Sequence, residues 1–457
     1  SCASCPIGCA TSRRGARRRL VSSSSGRVRR YRCATRTATA IGKGLRPKVS
    51  IVDASIVAKS SGADSKPQPT PRIRSVDALR GLVMIIMALD HIRDYFHADA
   101  FLYDPTDLSK TSVLLFFTRW ITHFCAPLFM FLSGASAYLV GMRKGKKYLS
   151  KFLLTRGLWL IFLEFTVLSF AWYFDVHFTM IDFIVIWALG VSMIFLAAFI
   201  YLPVPWIIAI GVAMVFGHNL LDNVHVPGNG LASIGWSLLH EQQIFPYANH
   251  VLFVGYPLIP WIGVMALGYC LGKVYTESFD ASKRKKYLIQ LGAGAIILFI
   301  VLRFINVYGD PSLWSKQSTA TFTLLSFLKV SKYPPSLLYL LVTLGPALLF
   351  LAFTEKSKSW LSAQIKMIGR VPMFYYLVHL YIIHIGAMAA TYFSGLKWSD
   401  MILTTWISFE PKLQGYGFSL GVVYIIWFSL IVILYFLCRW YDRYKKDHRQ
   451  QWWLSYL

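Results

Sequence analysis

Asp90, His91, Arg93 and Asp94 fill four of five consecutive positions in one otherwise apolar stretch, and His97 follows just beyond. An imidazole takes and gives a proton near neutral pH, and a neighbouring carboxylate can orient it. His91 is therefore a candidate general base towards an attacking amine or hydroxyl, with Asp90 or Asp94 as its orienting partner. His97 is the second candidate for that role, and Arg93 and His123 are candidates for holding a substrate. Arg80 stands eleven residues before His91. On a helix that step returns to within about 20° of the same face and rises about 16 Å. One face thus offers a cation near one end of a span and a proton-transfer group near the other. Arg80 suits a phosphate or carboxylate, or an ion pair with Asp77 one turn back. Asp77 could equally serve the helix N-terminus with Ser75 as its cap. Ionisable groups inside hydrocarbon are expensive, so this concentration marks a functional site.

The stretch that must carry these groups belongs to a membrane chain. Its 457 residues are 56% hydrophobic, 16% aromatic and 15% charged, with a mean hydropathy of +0.50. A soluble chain carries about 25% charge. Repeated long apolar runs with Trp and Tyr at their ends point to an all-α, polytopic helical bundle in a lipid bilayer. The net charge of +26 does not point to nucleic acid, because it is unevenly spread. Residues 1–52 hold 13 Lys or Arg and no acid, and much of the rest lies in loops between apolar runs.

Three regions follow. Residues 1–71 form a basic, Arg- and Ser-rich tail expected to be disordered, with the composition of a transit peptide or of a translated leader. Cys2, Cys5, Cys9 and Cys33 lie there without the set of partners a metal site needs, and Cys125, Cys270 and Cys438 fall within apolar runs, so no disulfide framework is expected. Residues 72–445 form the membrane domain and 446–457 a short tail. Ten spans are expected, near 76–96, 114–140, 151–174, 180–201, 204–221, 255–274, 287–306, 336–354, 372–394 and 417–440. The basic segments 143–147, 283–286, 356–370 and 439–449 then share the side of both termini, which the positive-inside rule makes cytoplasmic. Pro127 is expected to kink the second span, and Ser133 to Ser136 to allow close helix approach.

Other ionisable residues are less telling. Glu164 and Asp182 are expected as buried acids, each able to pair with a neighbouring cation. His379 and His384 lie about 140° apart on one helix and do not make a one-face metal pair; a bis-histidine haem would need His123 with His379. Glycine-rich phosphate loops, HExxH patterns and nucleophile elbows are absent. A membrane enzyme with histidine at the lipid–water border and no metal suits transfer of a group from a carrier on one side to an acceptor on the other. The alternative is a secondary transporter, with Asp90, His91 and Asp94 as a proton relay.

The stretch RIRSVDALRG at 72–81, followed by LDH at 89–91 and FH at 96–97, resembles the opening of the heparan-α-glucosaminide N-acetyltransferase catalytic family. PLFMFLSG at 127–134, YPLIPWIG at 256–263, KYPPSLLY at 332–339, GRVPMFYY at 369–376 with His379, and YGFSL at 416–420 are similar to motifs of its bacterial branch. The wider transmembrane acyltransferase superfamily is similar in setting a basic residue and a histidine eleven apart on its first span, as Arg80 and His91 are here. The resemblance implies acetyl-CoA, or another acyl-CoA, as donor from the cytoplasmic side and a sugar amine or hydroxyl as acceptor on the far side. It implies a histidine base, His91 or His97, and Arg80 on the donor. A bacterial inner membrane or an organelle membrane is the expected location, and a homo-oligomer is allowed.

Overall fold

The computed structural model describes residues 73–448 and 450–455, so the expected basic tail and its cysteines lie outside the described residues. The chain enters α1 (Arg74–Phe96) directly from Ile73, which is its N-cap; Ser75 lies inside the first turn and not at the cap. Next come α2 (Val113–Trp120), a 3₁₀ turn (Ile121–Phe124) and α3 (Cys125–Lys144), then α4 (Lys146–Leu163), a π turn (Glu164–Leu168) and α5 (Ser169–Tyr173). Strand β1 (Met180–Phe183) precedes α6 (Val185–Phe199) and α7 (Val204–Gly217). Beyond α8 (Leu231–Leu239) lie β2 (Gln243–Tyr247), β3 (His250–Val254), α9 (Leu258–Leu271) and α10 (Ala281–Ile305). The remainder is α11 (Ala320–Leu328), α12 (Leu337–Thr354), α13 (Trp360–Ile368), α14 (Pro372–Phe393) and α15 (Leu420–Asp447).

Among the described residues, eight segments are long and apolar enough to cross a membrane: α2–α3, α4–α5, α7, α9, α10, α12, α14 and α15. Two of the ten expected spans differ. The α1 helix carries six charged side chains in 23 residues and packs against α3, α12, α13, α14 and α15 rather than facing lipid on all sides. The expected span 180–201 is split: residues 180–183 form β1, parallel to β3, which pairs antiparallel with β2. Only the 15 residues of α6 remain helical. Glu164 explains the break. Its carboxylate accepts the Ile186 and Trp187 N–H groups at 2.9 and 2.8 Å, fixing the start of α6 from a distant turn. Backbone amides thus take the place that a cation could have held. Asp182 likewise accepts from the Tyr173 hydroxyl.

The break in the second span has a clear cause as well. Pro127 has no N–H to give the carbonyl of His123 four residues earlier. That carbonyl accepts instead from the Tyr339 hydroxyl at 2.9 Å, tying the turn before α3 to α12. Helices on the outside show the opposite character. Leu291, Ile297, Ile300 and Phe304 of α10, and Ile425, Phe428 and Phe436 of α15, are exposed. Such continuous apolar faces are what lipid, not water, accommodates.

Two helix crossings are set by glycine. A Cβ on Gly134 would stand 2.1 Å from the Met265 carbonyl oxygen, and one on Gly268 2.1 Å from that of Phe131. The α3 and α9 backbones therefore touch, with the small residues of 133–136 at the crossing. Gly81 and Gly369 do the same for α1 against the turn after α13. Overpacking of this kind costs about 1–3 kcal/mol or more. Gly268→Ala is expected to lower the thermal unfolding temperature of the detergent-solubilised protein. Gly294→Ala, on an exposed face of α10 where a methyl meets nothing within 4 Å, is expected to leave it unchanged or raise it.

Candidate active site

Consecutive residues on a helix point about 100° apart, so Asp90 and His91 cannot serve the same neighbour. Asp90 faces α2 and the loop before α12. One carboxylate oxygen meets Arg119 Nη1 at 2.6 Å and Lys332 Nζ at 3.7 Å, and the other lies 3.0 Å from Arg93 Nη2. Arg93 also pairs with Asp94 at 2.5 Å. Three cations thus share two carboxylates. The expectation that Asp90 or Asp94 orients His91 is corrected by this geometry: both acids are held by arginine.

His91 faces α14. Its Nδ1 lies 2.8 Å from His379 Nε2, with the rings stacked at 5.0 Å between centroids. His379 Nδ1 lies 3.0 Å from the Tyr375 carbonyl oxygen. A carbonyl only accepts, so His379 carries its proton on Nδ1 and presents a lone pair at Nε2. His91 must then donate from Nδ1, which leaves its own Nε2 unprotonated. The chain from Tyr375 through His379 to His91 therefore sets the tautomer of a base. Trp172, 4.8 Å from the His91 ring centroid, packs edge-on and fixes the ring from a third side. His379 is fully buried, whereas His91 is only partly so.

Lys332 reaches Asp90 because the loop before α12 is itself pinned. Arg303 at the end of α10 donates to the carbonyls of Phe327, Ser312 and Ser326, and also to Lys329. Asp310 accepts from the Ser331 amide at 2.8 Å and the Ser336 hydroxyl at 2.6 Å. Burial pushes the Asp310 carboxyl above the ordinary range, against these donors.

The other expected residues lie elsewhere. His97 ends α1, six residues beyond His91, and is buried where residues 97–98 run beside Phe418. Burial holds its imidazole below the ordinary value, against the raising effect of Asp99 at 3.9 Å. His123 is buried edge-on to Tyr339, 5.4 Å between centroids, and so is not matched with His379. His384 is pinned between the carbonyls of Ala171 and Met401. Arg80 is engaged by Ser136 at 3.1 Å, the Gly369 carbonyl at 3.5 Å and Asp77 at 3.6 Å, the pairing the one-turn spacing allowed. Beside that end of α1 opens a pocket of about 450 Å³ lined by Arg74, Lys358, Lys366 and Arg370 against the single acid Asp77. Sequence reasoning passed over His379, Arg119 and Lys332 as site members. They lie 288, 29 and 242 residues from their partners, so no local spacing could reveal them.

A sequence-family model described as "Heparan-alpha-glucosaminide N-acetyltransferase, catalytic" matches residues 72–314, more than half of the chain. The matched stretch contains His91, Arg119 and the pairing of α3 with α9; His379 and Lys332 lie beyond it. No curated protein matches the chain.

Removing one partner of a buried ion pair costs about 3–5 kcal/mol, because the other charge is left uncompensated. Asp90→Asn strands Arg119 and Lys332, while Arg93 keeps Asp94, and is expected to lower thermal stability by several degrees. Arg119→Met added to it is expected to recover part of the loss. A double-mutant cycle on unfolding temperatures checks the coupling.

Proposed function

The chain belongs to the heparan-alpha-glucosaminide N-acetyltransferase catalytic family, a family of transmembrane acetyltransferases, and we propose that it moves an acetyl group from acetyl-CoA to an amine or hydroxyl of a sugar across the membrane, with His91 as general base. The single observation that carries this reading is the hydrogen-bonded chain Tyr375–His379–His91, which leaves the His91 Nε2 lone pair free to take a proton. The acceptor atom bonds to the acetyl carbon as the carbon–sulfur bond breaks. Its proton passes to His91 Nε2 and from there to the departing thiolate. His379 holds the ring in the reactive tautomer and shares the positive charge while His91 is protonated. Family membership favours this enzyme over the transporter alternative.

The donor's anionic end has a matching surface. Arg74, Lys358 and Lys366 line the pocket at the opposite end of α1 from His91, beside Arg370, which Asp442 holds, so the phosphates of acetyl-CoA suit that pocket better than Arg80, which Ser136, Gly369 and Asp77 already engage. Asp77 is 14 residues before His91, about 21 Å along the helix. The donor would enter at the basic pocket and present its thioester towards His91.

Thiol release from acetyl-CoA with a panel of amino sugars and glycans tests the reading. His91→Ala is expected to lose about 10²–10⁴-fold in kcat. His379→Ala is expected to lose about tenfold or more, and His379→Gln less, because its carbonyl can still accept from His91 Nδ1. His97→Ala is expected to stay within about threefold of the parent; a loss confined to His97→Ala would move the base to the end of α1 and refute the assignment. Lys358→Glu and Lys366→Glu are expected to raise KM for acetyl-CoA about tenfold with little change in kcat, each removing a charged contact worth about 1.5 kcal/mol.

A further inference from the structure

The turn after α7 and the end of α8 bring together three residues that the transfer reaction does not use. His218 opens the 3₁₀ turn that follows α7, Asp222 directly follows that turn, and His240 directly follows α8. One ligand atom from each lies within 4.8 Å of the other two. The Asp222 Oδ1 atom and His240 Nε2 are already 3.1 Å apart, and the two imidazole centroids are 5.8 Å apart. Bonds of about 2.0–2.1 Å to a tetrahedral ion place ligand atoms about 3.3 Å from one another. The aspartate–histidine edge has that length, and the His218 ring needs to move on the order of an ångström to complete the face.

An independent observation points the same way. His218 is 1% exposed, and neither of its ring nitrogens has a hydrogen-bond partner among the described residues. A buried imidazole without partners is costly, because it has surrendered water for nothing. His240 is 2% exposed, and its Nδ1 also lacks a partner. The carboxylate is oriented from outside the cluster: Asn219 Nδ2 donates to Asp222 Oδ2 at 2.8 Å, turning Oδ1 towards the histidines, while Asn219 Oδ1 accepts from the Leu337 amide at the start of α12. Supporting bonds of this kind orient metal ligands.

We propose that His218, Asp222 and His240 bind one divalent transition-metal ion, Zn²⁺ by its ligand chemistry, which clips α8 to the end of α7. Two imidazoles and a carboxylate suit zinc, whereas calcium and magnesium require more oxygen ligands. The ion satisfies the His218 nitrogen and, through Asn219, braces the N-terminus of α12. Its fourth position is open to water.

Full-length protein, purified in detergent and stripped with a chelator, is supplied with ZnCl₂, and bound zinc is measured by elemental analysis alongside the thermal shift. The parent is expected to regain one equivalent more than His218→Ala, Asp222→Asn or His240→Ala, and to gain thermal stability that these variants lack. MgCl₂ at the same concentration gives no shift, and the exposed His177→Ala binds like the parent. His218→Cys, which restores a zinc ligand, is expected to retain the equivalent and so guards against a variant that merely misfolds. Cobalt(II) substitution adds a visible band without the sulfur-to-cobalt charge transfer that a site in the cysteine-bearing tail would give. Equal zinc in parent and all three variants, or cobalt bands that persist in His218→Ala, would overturn the proposal.

Discussion

Asp90 holds three cations, and that arrangement decides what its neighbour can do. With Arg119, Arg93 and Lys332 gathered on one side of α1, helical geometry turns His91 the other way, onto α14. The same ion cluster joins α1 to α2 and to the loop before α12, so it supports the fold and aims the candidate base at once. Its Coulombic gain must repay the desolvation of five charged groups, which a buried network achieves only when every member is paired. Asp94 completes that pairing by taking the second side of Arg93.

A histidine in place of a carboxylate behind the base follows the same economy of charge. A carboxylate at residue 379 would be fully buried and would need a further cation, whereas a neutral imidazole donates a hydrogen bond to the Tyr375 carbonyl and accepts one from His91 without any net charge. The dyad is thereby stable in the resting state and becomes charged only while a proton is in transit. Trp172 closes the edge, restricting the ring rather than chemically activating it.

Irregular backbone within the bundle is satisfied by side chains brought from far along the sequence, as a membrane interior demands. Tyr339 takes the carbonyl freed by Pro127, Glu164 takes the first amides of α6, and Arg303 takes the carbonyls at the end of α11. The last of these also fixes the loop bearing Lys332, a partner of Asp90. Membership of a transmembrane acetyltransferase family is consistent with such a scaffold, in which close glycine contacts set the helix spacing and polar groups set the breaks.

The sequence by itself determined the helical membrane class, the long apolar segments and the concentration of charge around His91, because hydrophobic run length and intrahelical spacing are local properties. It also pointed to the family through short motifs that the family match bears out over residues 72–314. It read Arg80 correctly as able to pair with Asp77, since that contact spans one turn. Tertiary structure alone decided which neighbour each ionisable group received. Asp90 and His91 are adjacent in sequence yet diverge in space, and His379 becomes the partner of His91 only because α14 packs on α1. The split of the expected span at 180–201 was equally invisible, for the Glu164 carboxylate that starts α6 acts from a turn more than twenty residues away. Hydrophobic pattern records what must be buried; it carries no record of which buried partners meet, because those meetings depend on long-range packing.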